Sequence, residues 1–300
     1  MSVVVITRDR PDDLERCLNA VLASSFTDFE LVIVDQSVQS ATSAQIVERL
    51  AAADARVRLV RDNGKGAARS RNIGARATTG EIVVFTDDDT GPDPNWLGSI
   101  VQSLRDDPGA GMAYGAVIPA PHDPRDGFIV GFTPPRDARL TGKLSKLRDA
   151  AISANVALRR SALQATGGFD EVLGPGSYFP CAEDFDLTYR VLSLGFAVLH
   201  HPDARVIHYG LRDWQSGGGL IHRTYIAIGA AYMKHVRLLD AVGVLLLLQE
   251  LYRAVANITA NVLRRKGPYG FGRLSGLLVG IWRSFELQVD RRRRVYYPPR

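Results

Sequence analysis

Three adjacent carboxylates, Asp87, Asp88 and Asp89, follow directly on the apolar run Ile82-Val83-Val84-Phe85. The run reads as a buried strand, and like charges packed this closely repel unless a cation or solvent neutralises them. Open α/β sheets bind their ligands beyond the carboxyl ends of parallel strands, which is where these aspartates stand. A divalent metal bridging to a phosphorylated substrate accounts for both the charges and their place. A solvated acidic turn accounts for the charges alone, since aspartate is common where strands end.

The surrounding pattern supports such a sheet. Val3–Ile6 is a short apolar run with a turn at Arg10-Pro11, and Asp12 and Asp13 open a helix whose Leu14, Leu18, Val21 and Leu22 share one face. Glu30–Val34 reads as a second strand, Ser43–Ala52 as a helix and Arg56–Val60 as a third strand. Asn63 to Ala77 begins glycine-rich and continues as a helix into the strand before the aspartates. This βαβα order predicts a doubly wound, mainly parallel α/β sheet. Further on, Met112–Ile118 reads as a strand, and Pro119–Arg139, rich in Pro, Gly and Asp, as a surface loop. Ser161–Thr166 reads as a short helix ended by Gly167-Gly168, Asp184–Leu194 as a helix and Ala204–His208 as the last strand.

Beyond Gly219 the pattern is wholly helical, which suggests a boundary between residues 1–219 and a helical extension over 220–300. Glu250, Arg253, Asn257 and Arg264 form one polar stripe, with Leu247, Leu251, Val255, Ile258 and Val262 largely elsewhere. A second amphipathic segment carries Phe271, Leu274, Leu278, Ile281, Trp282, Phe285 and Val289. The formal charge of +5 is unevenly placed, with Arg264-Arg265-Lys266 and Arg291 to Arg294 beside these apolar segments. With no nucleic-acid-binding motif in the chain, the partners expected of this region are an anionic membrane surface or another copy of the chain. Its longest strongly apolar stretch, Ala241 to Leu248, is shorter than the ~20 residues a spanning helix needs. The first seven residues lack the basic and apolar regions of a signal peptide, and two cysteines suit a reducing compartment. The expected location is the cytoplasm, peripheral to the inner face of the cell membrane.

Other candidate residues are ambiguous one at a time. Asp35 ends the second strand, where its carboxylate could accept a base N–H or ribose hydroxyl, or simply cap the next helix. The segment Asn63-Gly64-Lys65-Gly66-Ala67-Ala68-Arg69-Ser70-Arg71-Asn72-Ile73-Gly74 combines close backbone approach with positive charge, which suits a nucleotide. It matches neither a Walker A loop nor a G-x-G-x-x-G fingerprint. Glu183 and Asp184 open a helix, where capping explains one acid and general-base chemistry explains two. His208 on the last strand is a credible metal ligand only because the aspartates are there.

As an ordered set these elements, with Gly167-Gly168-Phe169-Asp170-Glu171 between them, resemble the family 2 glycosyltransferases of GT-A fold over about residues 2–235. The resemblance implies inverting transfer from a nucleotide-diphosphate sugar (UDP, GDP or dTDP linked) to a saccharide or lipid-linked acceptor, in the synthesis of cell-surface polysaccharide or glycolipid. Carried over by position, Thr7 and Asp35 would contact the base with Arg71 nearby, Asp87 would serve the ribose side, and Arg8 and Asp88 would also bind the donor. Asp89 would bind Mg2+ or Mn2+ as the second acid of the D-x-D motif, with His208 adding a metal or diphosphate contact. Asp184 would be the catalytic base, with Glu183 as the next candidate. Two departures stand out: three aspartates leave open how Asp88 and Asp89 divide the work, and Pro180-Cys181-Ala182 stands where many relatives have a glycine. A nucleotidyltransferase, or a catalytically silent nucleotide-sugar-binding scaffold, would share much of this constellation.

Overall fold

A computed structural model describes residues 1–38, 41–148, 152–214, 219–264 and 270–298. The expected βαβα half comprises β1 (Ser2–Thr7), α1 (Pro11–Leu22), β2 (Glu30–Asp35), α2 (Thr42–Ala53), β3 (Val57–Arg61), α3 (Ala67–Arg76) and β4 (Ile82–Asp87). Helix α1 begins with Pro11, whose missing N–H is not needed there, and Asp12 and Asp13 complement the positive helix end. Next come β5 (Thr90–Pro92), α4 (Trp96–Asp106), β6 (Ala110–Pro119), β7 (Gly127–Ile129), β8 (Ala138–Leu140), a 3-10 helix (Lys143–Arg148) and β9 (Asn155–Arg159). Then follow α5 (Arg160–Thr166), α6 (Glu183–Ser193), β10 (Ala197–His208) and β11 (Leu211–Asp213). The chain ends with α7 (Leu220–Arg237), α8 (Ala241–Leu263), α9 (Phe271–Ser284), β12 (Val289–Asp290) and β13 (Val295–Tyr296).

The main sheet runs β3-β2-β1-β4-β9-β6-β10-β5, with β8 also on β10. Strands β3, β2, β1 and β4 are parallel, and so are β6 and β10; β9 lies antiparallel between β4 and β6. All the long strands except β9 therefore point the same way, and their carboxyl ends form one edge. Alternate residues of β1 enter two apolar layers. Val3 and Val5 meet Leu14, Leu18, Trp96 and Ile100 on one face, while Val4 meets Ala68, Phe85, Leu163 and Leu187 on the other.

Several departures from the sequence reading have physical causes. Helix α4 and strand β9 were not foreseen; β9 is only five residues long and takes its place from neighbours on both sides. Strand β10 begins at Ala197 rather than Ala204, because Pro202 falls in a register shift between His201 and Arg205 that the strand tolerates. Nor is His208 in the last strand: β11 follows it, and the ribbon of β12 and β13 means the region beyond Gly219 is not wholly helical.

The apolar run from Ala241 is part of a 23-residue helix, the one helix among the described residues long and apolar enough to cross a membrane by length and composition. Its exposed side includes Arg253 and Arg264 of the polar stripe, with Glu250 and Asn257 partly buried, but is largely apolar. Gly243, Leu246, Leu247 and Ala254 are buried, while Leu245, Leu248, Tyr252 and Val255 are exposed at spacings of three, four and three, with Val262 exposed two turns further on. Of the basic clusters, Arg265 and Lys266 lie outside the described residues. Helices α7 to α9 share an apolar core with Val172, Leu173, Phe179 and Tyr189 of the preceding region.

Candidate active site

Parallel pairing brings the candidate residues to one edge. Thr7 pairs with Asp35 across β1 and β2, and Ile6 with Asp87 across β1 and β4. Short strand β5 then turns back beside β10, setting His208 opposite Thr90 and so next to Asp89. The Asp89 carbonyl accepts the Tyr209 N–H at 2.8 Å, which fixes this junction.

The three aspartates divide their work. Asp87 accepts from Arg71 Nη2 at 2.7 Å. Asp88 accepts from the Thr7 hydroxyl at 2.8 Å and lies 3.4 Å from Arg10 Nη1. Burial pushes the Asp88 carboxyl up to about 7; Arg10 opposes the shift and Asp89 adds to it. Asp89 accepts from Arg10 Nη1 at 2.8 Å through Oδ2. Its Oδ1 is buried without a hydrogen-bond partner, facing His208 Nε2 at 3.3 Å without the alignment of a hydrogen bond. Burial would raise Asp89, but His208 and Arg10 outweigh it and hold this carboxyl below its ordinary value.

This corner fits a divalent cation. His208 Nδ1 lies 2.7 Å from the Val130 carbonyl, and a ring donating there leaves Nε2 with a lone pair. A Cβ at Gly210 would come within 2.6 Å of Asp89 Oδ2 and 2.9 Å of His208 Nε2, so only glycine leaves the space open. Among the described residues no three His, Cys, Asp or Glu side chains converge as a metal cage. A cation here would need only one or two protein donors, since substrate phosphates and water complete the shell of Mg2+ and an imidazole donor suits Mn2+.

The second half of the site lies on α6. Glu183 accepts from Arg71 Nη1 at 3.0 Å, so one fully buried guanidinium joins Asp87 to Glu183. Glu183 is thus held as a counter-ion, and its neighbour Asp184 is the acid left for chemistry. Asp184 Oδ1 accepts from the Phe185 N–H at 2.8 Å and Oδ2 from the Ser153 N–H at 3.3 Å. Burial, then Glu183, push Asp184 up to about 7, with Lys146 opposing. A carboxylate with that affinity for protons suits a general base near neutral pH. Asn72 clamps the glycine turn before α6 by accepting from the Phe169 N–H at 2.8 Å and donating to the Phe169 carbonyl at 2.9 Å.

Two expected residues stand apart. Asp35 accepts from the Ser37 N–H at 2.8 Å and lies 3.4 Å from Arg61, on the strand beyond β1. Arg8 is exposed, with its Nε 3.7 Å from Asp9. Conversely, Arg10, Lys146, Ser153 and Gly210 were not singled out by sequence. Arg10 alone carried a usable signal, a cation just past the carboxyl end of β1. The others reach the site only through tertiary contacts.

A family model described as glycosyl transferase family 2 matches residues 2–167. A glucosyl-dolichyl phosphate glucuronosyltransferase of Haloferax volcanii is 26% identical over 219 residues, 69% of this chain and 68% of the relative. A pre-mycofactocin glycosyltransferase of Mycobacterium tuberculosis is 28% identical over 299 residues, 94% of this chain but 56% of the relative, so the chain spans little more than half of that protein. Among solved structures, a mannosyltransferase from Pyrobaculum calidifontis in complex with GDP-Man and Mn2+ aligns with a TM-score of 0.62 at 17% identity. The alignment covers 95% of this chain and 86% of that one, a likeness of fold. A mixed, mostly parallel sheet with helices on both faces, an acidic edge and this family match lead to one assignment: the chain belongs to glycosyl transferase family 2, with a GT-A fold, and is a glycosyltransferase.

Proposed function

We propose that the protein is an inverting, metal-dependent transferase moving a sugar from a nucleotide-diphosphate sugar to an acceptor hydroxyl, in cell-surface polysaccharide or glycolipid synthesis. One observation carries this reading: Arg71 links the Asp87–Asp89 edge to the Glu183-Asp184 pair, so a donor site and a base belong to one buried array. In the mechanism, Thr7, Asp87 and Asp88, with Arg71 between the two halves, line the nucleotide side, and Asp35 and Arg8 would reach only an outlying part of the nucleotide. Asp89 Oδ1 and His208 Nε2 would hold Mg2+ or Mn2+, and an imidazole donor favours Mn2+. When bound, the cation neutralises the diphosphate leaving group. Asp184 takes the proton from the acceptor hydroxyl, whose oxygen attacks the anomeric carbon opposite the departing diphosphate. A single displacement inverts the configuration, and no covalent sugar–protein intermediate is required.

The acceptor we favour is lipid-linked, in keeping with the dolichyl phosphate in the haloarchaeal relative's name. Residues 1–219 would carry donor and catalytic chemistry. Residues 220–300 would rest on the inner, anionic face of the cell membrane, a reading supported by the exposed apolar stripe of α8 and by Trp282 on α9 and Phe285 just after it, at 69% and 59% exposure. A second copy of the chain is the other occupant such a surface could take.

Calorimetry of nucleoside diphosphate with and without Mn2+ tests the donor reading. Binding should require the cation, and Asp89→Ala should weaken it at least about tenfold. Equal affinity in EDTA would remove the metal from the mechanism.

A further inference from the structure

A cavity of about 570 Å3 opens at the turn between α7 and α8, where Lys143, Arg237, Arg291 and Arg294 face a single carboxylate, Asp240. Lys143 Nζ reaches both oxygens of Asp240, at 3.0 and 3.1 Å, and Arg294 bonds the same group. Arg237 donates to the Ser284 and Leu287 carbonyls, which hold its guanidinium at the wall. Three of the cations are thus held in place, Arg291 lines the cavity from an exposed position, and positive charge is in excess over the one acid.

The backbone here is strained as at the catalytic site. Four non-glycine residues among those described have clearly positive φ: Asp9 at 56°, Ala182 at 74°, Leu239 at 60° and Arg294 at 60°. Asp9 follows β1 at the donor edge, and Ala182 immediately precedes the Glu183-Asp184 pair. Leu239 and Arg294 both line the cavity. Left-handed backbone is unfavourable for L side chains and gathers where ligands bind. Leu239 is also 93% exposed, so a strained position presents an apolar side chain to solvent beside an excess of cations. The exposed stripe of α8 begins within two turns, at Leu245 and Leu248.

We propose that this cavity binds the phosphate head of an anionic membrane phospholipid, with Leu239 and the α8 stripe entering the acyl layer. The proposal rests on the membrane-docking reading above and names the site that performs it. Guanidinium and ammonium groups bind phosphate through charge-assisted hydrogen bonds, which supply what Asp240 alone leaves unbalanced. The placement also serves the chemistry. Lys143 in the cavity and Lys146, whose charge acts on Asp184, stand three residues apart on one 3-10 helix, a rise of about 6 Å. A docked headgroup would set the membrane surface close to the base, where a lipid-linked acceptor presents its hydroxyl.

Flotation of the full chain with vesicles tests this, using phosphatidylcholine alone, phosphatidylcholine with phosphatidylglycerol, and phosphatidylcholine with oleate at matched surface charge. Recovery should be highest with phosphatidylglycerol and fall with salt. Arg291→Gln, at an exposed position, should lower it about fivefold, the effect of one cation at an anionic surface. Leu239→Asn, which tolerates left-handed backbone, should lower recovery without lowering the melting temperature. Equal recovery on phosphatidylglycerol and oleate, with both variants floating like the parent, would overturn the headgroup site and leave membrane docking standing. No flotation on any vesicle would remove docking itself. Sedimentation as a dimer that Leu239→Asn dissociates would overturn the proposal in favour of a second copy.

Discussion

Asp184 and Asp186 are both buried, two residues apart on α6, and their surroundings treat them oppositely. At about 100° per residue they project from nearly opposite sides of the helix, one toward the sheet edge and the other toward α7. Asp186 accepts from Arg190 Nε at 2.7 Å and lies 2.6 Å from Lys234 Nζ and 3.0 Å from His235 Nε2. Lys234 also meets Asp170 at 2.6 Å, and Asp170 accepts the Tyr296 N–H at 2.9 Å. Burial alone would raise Asp186, but Arg190, Lys234 and His235 hold it well below the usual carboxylate range. Around Asp184 the charges of Lys146 and Arg71 do not offset burial and Glu183, and it is pushed up to about 7. Acids that the protein neutralises with its own cations are architecture. An acid whose burial the protein leaves largely uncompensated, as it does Asp184, is where the proposed chemistry has its proton acceptor, while Asp89 is paired through Oδ2 and leaves only Oδ1 without a hydrogen bond.

The largest effect should come from breaking the completed cluster. Lys234→Met leaves Asp170 and Asp186 facing each other without their shared cation, which should cost about 3–5 kcal/mol of stability. Chemical denaturation reads this directly. A loss under about 1 kcal/mol would mean that α7 contributes little to holding the catalytic helix, and the contrast between the two clusters would fail.

Next in size is the base. Asp184→Asn should lower transfer about 10²-fold or more while leaving donor affinity unchanged. Parent activity should rise with pH through about 7 as the carboxyl ionises. The stability sign runs the other way from that of a paired acid. Because the folded value is raised, the folded state keeps a proton that the unfolded chain releases, so stability falls as pH climbs from the ordinary aspartate value of 3.8 to about 7. The Asn variant carries no such penalty and should melt above the parent at about pH 8 but not at about pH 4. If it turns over at near the parent rate, the base lies elsewhere, with Glu183 next in line.

Legibility followed the same division. The acidic edge of the sheet was readable because its aspartates stand at strand ends, and strand ends show in sequence as an apolar run followed by an acid. Ile82–Phe85 with its aspartates is one case and Leu31–Val34 with Asp35 another. The completed cluster was not readable. Asp170 belongs to the glycine turn that carried the resemblance, but its partner Lys234 is 64 residues away on a helix whose charges suggest only solvent. Which apolar residues of α8 stay exposed was not readable for a related reason. Both sides of that helix are apolar, and only the packing of α7, α9 and the 3-10 helix decides which is covered.

The smallest effect tests the residue that sets where Asp184 begins. Ala182 is fully buried and takes φ 74° just before α6, and its carbonyl accepts the Asp186 N–H at 3.0 Å. Ala182→Gly relieves about 1–2 kcal/mol of left-handed strain. It also removes a buried methyl worth about 0.8 kcal/mol and frees the unfolded chain by about 0.4–1 kcal/mol. These terms nearly cancel, so the melting temperature should move by less than about 3 °C. The backbone path that a glycine would take is already in place, and the transfer rate should stay within about threefold of the parent. A large rate loss with unchanged stability would show instead that the Ala182 methyl fixes the orientation of the base. The difference between the two acids of α6 would then begin one turn earlier, in the strained residue that starts the helix.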